Sequence, residues 1–535
     1  MSVFKLWNFP GGLALPGHKE ASTRLALRAA RVPERLVFPL LQRDGRNATP
    51  LVAPGDRVLK GQAIAGGEDP LNPPLHASTS GRVRAIEALP LPHPSGLSDL
   101  CIVIEADGKE AAVEFEGIAD YRDCAPEDLR RRIHEAGIVG LGGAAFPTAA
   151  KLAPGRRRIE TLILNCAECE PYITCDDSLL RHRAAEVLRG AAILRHMLQA
   201  EQVLIAVEND MPEAIASLER ALPEVRGENV AVVRVPAIYP AGGEKQLIRA
   251  LTGREVPAGG LPADVGAVCQ NVGTAAAVSR AIVRGEPLIS RIVTVTGRGV
   301  RRPRNLDVRL GTSIADLVAQ CGGYTDEAER LILGGPMMGL SLPRDDLPIT
   351  KSANCILVAG RGETVGPRQA LPCIRCGACA DACPAALLPQ QIYWYGRSEQ
   401  LDRALDYRLF DCIECGCCDL VCPSRIPLVQ QFRAAKGQAA ARQREREQAE
   451  HARQRFEARQ ARQAREQRER ADAARRKKES LGKAAAPEIR EAIERAKLKR
   501  MERPSTTGSR TAPTGSELQP ETTDPMNTDS SRQGR

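Results

Sequence analysis

Two cysteine runs, placed 39 residues apart, constrain this chain more than any other feature. Each has the form C-x2-C-x2-C-x3-C-P, and every spacing is repeated. The runs are Cys373, Cys376, Cys379, Cys383 and Cys412, Cys415, Cys418, Cys422. In such a run, three thiolates wrap a loop around one cubane cluster, and the cysteine before proline ligates the other cluster. The pattern predicts two [4Fe–4S] clusters with crossed ligands: Cys373, Cys376, Cys379 and Cys422 for one, and Cys412, Cys415, Cys418 and Cys383 for the second.

The alternatives to clusters are zinc sites, disulfides and free thiols. Zinc sites use cysteine pairs and require neither the third cysteine nor the x3-Pro step. The sequence starts without an apolar signal segment, which favours metal binding over disulfides for its 17 cysteines. Cys417 has Ala378 as its counterpart in the first run, so we expect no ligand role for it. Two adjacent clusters are the arrangement that an electron relay requires.

Composition excludes several other classes of protein. Aromatic residues make up only 3% of the chain, which argues against stacking platforms for nucleic acid. The net charge of +9 comes from one segment, since residues 433–500 hold 22 Lys or Arg against 11 Asp or Glu. The remainder is near neutral, so we expect no nucleic-acid partner. No apolar run is long enough to span a membrane, and the chain is expected on the cytoplasmic side.

The order of secondary-structure patterns along the chain predicts a multidomain α+β protein. Residues 1–115 are β-rich, and the segments Val52–Gln62 and His76–Val83 are similar to the two halves of a barrel-sandwich hybrid domain without its modified lysine. Residues 120–285 alternate between strand and helix patterns, as in a Rossmann-like α/β domain. A small unit at 286–355, a two-cluster ferredoxin-type α domain at 364–432 and a basic tail at 433–535 follow. The tail is expected to be a solvated helix or disordered, with disorder over 503–535; contact of its basic helix with anionic lipid or a partner is the alternative.

A glycine-rich stretch within the α/β region is the first candidate ligand site. It contains Gly140, Gly142, Gly143 and Phe146, and Lys151 follows. Glycines let backbone N–H groups approach an anion, and a lysine meets phosphate as a point charge. A plain loop before a helix is the alternative for this stretch taken alone.

Polar residues at the end of the next predicted strand strengthen the case for a ligand. Asn165, Glu168 and Glu170 follow the apolar run at 161–164, where open α/β sheets bind ligands. Carboxylates there can accept hydrogen bonds from ribose or ribityl hydroxyls. Cys166, Cys169 and Cys175 lie among them; buried structural thiols are the favoured interpretation, and a redox role stays open. Further polar motifs follow at Glu244, Lys245, Asn271 and Thr274.

Taken together, these motifs resemble a known family. Gly-x-Gly-Gly-x-x-Phe-Pro-Thr-x-x-Lys, Asn-x-x-Glu-x-Glu-Pro, Gly-Gly-Glu-Lys and Asn-Val-x-Thr are similar to the flavin-binding NADH dehydrogenase subunit of respiratory complex I. The domain order, with Phe9-Pro-Gly-Gly12 and His18-Lys19 at the start, resembles the RnfC (RsxC) family of Rnf electron transport complexes. Two complete cysteine runs, where the complex I protein has one, favour the Rnf family.

The resemblance implies cofactors, substrate and partners. FMN would contact Gly140, Gly142, Gly143, Lys151, Asn165, Glu168, Glu170, Asn271 and Thr274, and NADH would lie near Phe146, Glu244 and Lys245. Residues 286–355 would be a β-grasp unit of the SLBB type. The chain would be an ion-translocating oxidoreductase subunit of the NADH:ferredoxin type, peripheral on the cytoplasmic face of the inner membrane, with integral membrane subunits and a ferredoxin-like subunit as partners. No catalytic side chain, ion or direction of electron flow is implied.

Two other functions remain open from the sequence. One is a soluble diaphorase subunit of a hydrogenase or formate dehydrogenase. The other is a non-enzymatic iron–sulfur electron carrier in which the α/β region is only a scaffold.

Overall fold

The computed structural model describes residues 4–41, 47–67, 69, 71–93, 95–364, 366 and 369–501. The predicted disordered segment 503–535 lies outside them. The chain divides into two compact units, with the boundary between Arg442 and Gln443. Among the described residues, no helix combines the length and the apolar character needed to cross a membrane.

Residues 4–30 form an N-terminal strap that lies across several domains. The strap contains α1 (Glu20–Thr23) and β1 (Arg28–Ala29). Its backbone hydrogen-bonds with residues far along the chain, as Gly12 N does with the carbonyl of Ala382 at 3.1 Å. β1 pairs with a strand near residue 306, so this part of the strap extends a sheet outside the N-terminal β domain.

Two small antiparallel sheets make up the N-terminal β domain, as the barrel-sandwich prediction requires. Its strands are β2 (Arg35–Pro39), β3 (Thr49–Pro50), β4 (Arg57–Val58), β5 (Ala63–Gly66), β6 (Leu75–His76), β7 (Gly81–Pro90) and β8 (Ser98–Ala106). The orders are β2-β8-β7-β4 and β3-β5-β6. Inward-facing Leu36, Ile64 and Ile102 are fully buried in the shared core.

A four-stranded parallel sheet forms the second domain. Its elements are α2 (Pro126–Glu135), α3 (Thr148–Lys151), β9 (Thr161–Cys166), α4 (Cys175–Leu198), β10 (Gln202–Glu208), α5 (Pro212–Ala221), β11 (Val230–Val235), α6 (Glu244–Thr252), β12 (Ala267–Asn271) and α7 (Val272–Arg284). β9 and β10 are almost wholly buried, because helices cover both faces of the sheet. The strand order is β11-β10-β9-β12. The order reverses beside β9, and such a switch point is where these sheets bind ligands.

The third domain is a mixed sheet packed with one helix. It contains β13 (Ser290–Thr296), β14 (Arg304–Arg309), α8 (Ile314–Gln320), β15 (Ala328–Leu333), β16 (Leu340–Leu342) and β17 (Cys355–Gly360), in the order β1-β14-β13-β17-β15-β16. β17 is buried at all six residues and pairs in parallel with β13. The predicted end of this unit at 355 is therefore too early, since the apolar run that follows is an inner strand of the same sheet.

Short helices and loops build the cysteine-rich domain. Its helices are α9 (Ala378–Asp381), α10 (Pro389–Arg397), α11 (Leu401–Asp406), α12 (Cys417–Leu420) and the start of α13 (Leu428–Met501). α10 and α13 begin 39 residues apart, so the duplication extends beyond the cysteines. Phe432 and Ala435 of α13 are buried in the core of this domain, which is why the helix continues through the predicted boundary at 432. From 443 to 501 the described side chains of α13 are exposed.

Candidate functional site

The eight cysteines of the two runs line two separate cavities. Cys373, Cys376, Cys379 and Cys422 line the first, and Cys383, Cys412, Cys415 and Cys418 line the second. The structure therefore brings together the two crossed sets of four. Cys417 also lies at the second cavity. Four thiolates around one cavity are the donor set that a cubane cluster takes, so these residues fit the predicted group.

The backbone around the two cavities repeats with the same 39-residue period. Arg375 and Glu414 have φ of 57° and 58°, and each donates its N–H to the sulfur of the cysteine two residues earlier at 3.4 Å. Gly377 and Gly416 also have positive φ, at 84° and 81°. The left-handed conformation turns the loop back on itself and points amides at sulfur. Hydrogen bonds of this kind favour the thiolate and adjust the potential of a bound cluster.

The two cavities differ in what surrounds them. We name the first the open cavity, because Cys376 is exposed and Trp394 at its wall is 48% exposed. The second, the covered cavity, lies against the parallel-sheet domain. There the buried Tyr239 hydroxyl donates to the carbonyl of Cys415 at 2.5 Å, and Gln246 Nε2 donates to that of Pro384 at 3.4 Å.

The predicted flavin residues meet at the carboxyl edge of the parallel sheet. Asn165 is the penultimate residue of β9, and it is in direct register with Asn271, which ends the neighbouring β12. Asn165 Nδ2 donates to the carbonyl of Gly242 at 2.8 Å, and the Asn271 side chain accepts the Gly273 N–H at 2.8 Å to cap α7. The two asparagines thus lie at the switch point of the sheet.

The glycine-rich loop passes over this edge. An added Cβ at Gly142 would lie 3.5 Å from that of Asn271, so the loop contacts the end of β12. Gly143 has φ of 108°, and a Cβ placed there would meet nothing within 4 Å. Gly142 and Gly143 are both exposed, and their N–H groups make no hydrogen bond within the described part of the chain. An open, glycine-lined edge with free amides fits the phosphate end of a nucleotide-like ligand.

The other predicted contacts have varied surroundings. Lys151 forms an ion pair with Glu244, which places a cation beside the glycine loop. Lys245 points elsewhere, and its Nζ is 3.9 Å from Asp411, next to the covered cavity. The Thr274 hydroxyl accepts the N–H of Leu141 at 2.9 Å, so it holds the loop from beneath.

The two predicted acidic contacts are both committed to protein amides. Glu168 accepts the N–H groups of Asp176 and Asp177 at the start of α4, and burial raises the pKa of this carboxyl. Glu170 accepts those of Met337 at 2.7 Å and Met338 at 3.1 Å, in the mixed-sheet domain. Their roles toward a ligand stay predictions. Cys166 and Cys175 are buried, and burial raises the pKa of both thiols.

Several residues at the site were missed by the sequence analysis. Arg291 and Lys351, both buried, reach the glycine loop from the mixed-sheet domain, and Tyr239 and Lys436 contact the loop of the covered cavity. Arg291, Lys351 and Lys436 belong to no motif, and Tyr239, three residues before the Gly-Gly-Glu-Lys motif, was not predicted as a contact. The only available indication was a charge inside an apolar strand, as in Ser290-Arg-Ile-Val-Thr-Val-Thr296.

Comparison with known sequence families matches four segments in the order of the domains. Residues 7–109 match the RnfC barrel sandwich hybrid domain, 133–280 the Nuo51 FMN-binding domain, 292–341 the SLBB domain and 372–426 the 4Fe-4S dicluster domain. The chain thus combines an FMN-binding domain with a two-cluster iron–sulfur domain, which is the domain composition of an electron-transfer protein. FMN and two [4Fe–4S] clusters are its confirmed cofactor classes.

Full-length comparison makes the relationship more specific. The chain is 47% identical over 455 residues to the C subunit of the ion-translocating oxidoreductase complex of Klebsiella pneumoniae, and 50% identical over 452 residues to that of Pseudomonas aeruginosa. These alignments cover 85% and 84% of this chain but 60% and 58% of the relatives, so it spans about three fifths of their length. The chain is a relative of these proteins, and the resemblance drawn from its motifs is confirmed.

Among solved structures, the chain is similar to an NAD+-reducing [NiFe]-hydrogenase in the H2-reduced state. The identity is 19% and the TM-score 0.42, over 59% of this chain and 63% of the other. The air-oxidised form of that enzyme gives a TM-score of 0.41.

Proposed function

We propose that this chain is the NADH-oxidising, electron-transferring subunit of a membrane-bound Rnf-type complex, which couples electron transfer between NADH and ferredoxin to ion movement. In such a complex it would be peripheral, on the cytoplasmic face of the inner membrane. Integral membrane subunits and a ferredoxin-like subunit would be its partners. The names of its relatives and the domain matches of this chain support the assignment.

One observation carries the proposal: the glycine-loop edge and the covered cavity are parts of a single packed assembly. Tyr239 and Gln246 of the parallel-sheet domain hydrogen-bond to the backbone of the cysteine-rich domain. Electron transfer between two centres requires that the protein hold them close together.

In the proposed function, the chain's own residues bind and orient. Lys151 and the free amides of the glycine loop would hold the FMN phosphate, and the two asparagines would hold polar groups at the strand ends. The eight cysteines would hold the clusters, with the Arg375 and Glu414 amides fixing two of the sulfurs. Bound FMN would supply the conversion of hydride chemistry into single-electron steps that the clusters can carry.

The test is whether NADH can reduce the clusters without flavin. The full chain would be loaded anaerobically with both clusters, divided into portions with and without FMN, and mixed with NADH while the visible cluster absorbance is followed. We expect rapid bleaching with FMN and almost none without it. Bleaching at the same rate in both portions would contradict the proposal. Succinate in place of NADH provides the control for non-specific reduction.

A second measurement addresses the complex. Membranes from cells that produce the chain together with its neighbouring gene products should retain it, and a high-salt wash should release it. Equal recovery in the unbound fraction, with and without those gene products, would favour the soluble diaphorase alternative.

A further inference from the structure

The glycine loop is held in place by a domain other than its own. Arg291 on β13 and Lys351 before β17 both belong to the mixed-sheet domain, and they are only 4% and 3% exposed. Each directs its cationic group at a backbone carbonyl of the stretch from Gly137 to Leu141. Two buried cations beneath one loop are costly to desolvate, so their placement calls for an explanation.

The contacts of these cations are specific. Arg291 Nη2 donates to the carbonyl of Leu141 at 2.9 Å, and its Nη1 donates to the carbonyl of Lys351. Lys351 Nζ donates to the carbonyls of Gly137 and Pro74, both at 2.8 Å. Burial without a carboxylate partner lowers the pKa of Lys351 to about 7. The oxygens that accept from Arg291 are likewise backbone carbonyls, although the Cys175 thiol and Asp176 lie close enough to act on its charge.

Leu141 is fixed on both of its polar groups. Its carbonyl accepts from Arg291, while its N–H donates to Thr274 of α7 at 2.9 Å. A trans peptide is planar, and its C=O and N–H point in opposite directions. With the Leu141 carbonyl turned inward to Arg291, the N–H of Gly142 in the same peptide must point outward. That N–H is on an exposed residue and has no acceptor among the described residues.

We propose that Arg291 is a positioning residue for FMN, which acts through the Leu141–Gly142 peptide to aim the Gly142 N–H at the phosphate. The mixed-sheet domain then becomes a structural part of the flavin site rather than a spacer between domains. This inference rests on the proposed function, because it places the FMN phosphate at the glycine loop. Arg291 itself need not touch the ligand.

The experiment compares FMN with riboflavin, which lacks the phosphate. The full cluster-loaded chain, depleted of flavin, is titrated with each ligand while the quenching of flavin fluorescence gives the dissociation constant. We expect Arg291→Met to weaken FMN binding about tenfold or more, the effect of losing one well-aimed hydrogen bond to an anion, and to leave riboflavin binding within about twofold. Arg291→Lys, which keeps a donor and the charge, should restore part of the loss.

Two variants serve as controls. Arg309→Met changes an arginine on the neighbouring strand β14, opposite Ser290. Arg309 forms its ion pair with Glu110, away from the glycine loop, so the affinities for FMN and riboflavin should both stay unchanged. If Arg291→Met fails to fold, Thr274→Val removes the acceptor of the Leu141 N–H in the preceding peptide, and so frees Leu141 on its other side. It should produce the same selective loss of FMN affinity.

The experiment distinguishes failure of the Arg291 inference from failure of the proposed function. Equal weakening of FMN and riboflavin would show a merely structural role and overturn the inference. Unchanged FMN affinity in both Arg291→Met and Thr274→Val would do the same. In either case, normal FMN binding by the unmodified chain would leave the proposed function standing. No FMN binding by the unmodified chain would overturn both.

Discussion

The open and covered cavities are built from the same motif but have different surroundings. Both have four cysteines in crossed sets, an amide aimed at the first sulfur and a glycine at positive φ. In the covered cavity, Glu414 is held by Arg433 and Lys436, each at 2.8 Å. The residues 39 positions earlier are Arg375, Trp394 and Arg397, and they form no such cluster of charges. The two runs share their ligand spacing, while the residues around the ligands differ.

The two cavities therefore differ in solvent access and in the charged side chains nearby, and not in their cysteine ligands. The covered cavity faces the parallel-sheet domain through Tyr239, and Lys436 Nζ donates to the carbonyl of Cys412 at 2.6 Å. The open cavity has Cys376 and the 68% exposed Ile374 at its rim. Two clusters with the same ligands should accordingly differ in potential and in exposure to small reagents.

The largest expected effect tests the crossing of ligands itself. Cys383→Ala should remove the cluster of the covered cavity, although Cys383 belongs to the first run. Electron paramagnetic resonance of the reduced protein should then match that of Cys415→Ala and differ from that of Cys376→Ala. Iron content should fall by about half in all three, because each keeps one complete cluster. A spectrum of Cys383→Ala identical to that of Cys376→Ala would refute the crossed assignment.

The next largest expected effect is a difference between the two cavities in the rate at which an iron chelator removes their clusters. With a water-soluble iron chelator under anaerobic conditions, we expect release in two phases, and the cluster of the open cavity should be lost first. The reason is that reagent can reach Cys376 directly, whereas the parallel-sheet domain protects the covered cavity. The fast phase should be missing in Cys376→Ala, which holds only the covered cluster. A fast phase that persists in Cys376→Ala would contradict the assignment of the more accessible cluster to the open cavity.

The charge difference can be tested at paired positions. Lys436→Met leaves Glu414 with one cation instead of two, so the midpoint potential of the covered cluster should fall by on the order of several tens of millivolts. Arg397→Met is the matched change 39 residues earlier, and it should lower the potential of the open cluster much less because water screens that site. Anaerobic redox titration measures both, and equal shifts would contradict the prediction.

The smallest expected effect concerns one hydroxyl. Tyr239→Phe removes the donor to the Cys415 carbonyl, whose dipole favours the reduced cluster, and the covered potential should fall by about 10–30 mV. Tyr395→Phe alters a tyrosine at the open cavity and should leave both potentials unchanged. A shift of the open cluster in Tyr239→Phe would show that the hydroxyl acts on the domain as a whole.

Sequence reasoning predicted what depends on local spacing. The cysteine sets follow from a fixed interval, and the strand predicted over the apolar run at 161–164 lies within β9. Sequence reasoning could not predict contacts between segments that are far apart in the chain. Glu170 accepts amides 167 and 168 residues away, and Arg291 reaches Leu141 across 150 residues. No local pattern encodes such partners, so the sequence could not show which protein groups Glu170 and Arg291 contact, and the role of Glu170 toward a ligand stays a prediction.

The mixed-sheet domain shows the same limit in another form. Its last strand, β17, directly follows a polar segment and ends at Gly360, and the predicted boundary was placed at its first residue. Only pairing with β13, some 60 residues earlier, reveals it as an inner strand.

The N-terminal strap has a consequence for how the protein is made. Gly11 packs so closely against Ala382 and Cys383 that an added Cβ would lie 2.7 Å from their backbone atoms, and Gly12 hydrogen-bonds to the same place. A ribosome adds about 5–20 residues per second, so this segment emerges on the order of tens of seconds before its docking partner exists. Until then it has to remain undocked and soluble. Its attachment should be among the last events in folding, fastening the cysteine-rich domain to the rest once both are complete.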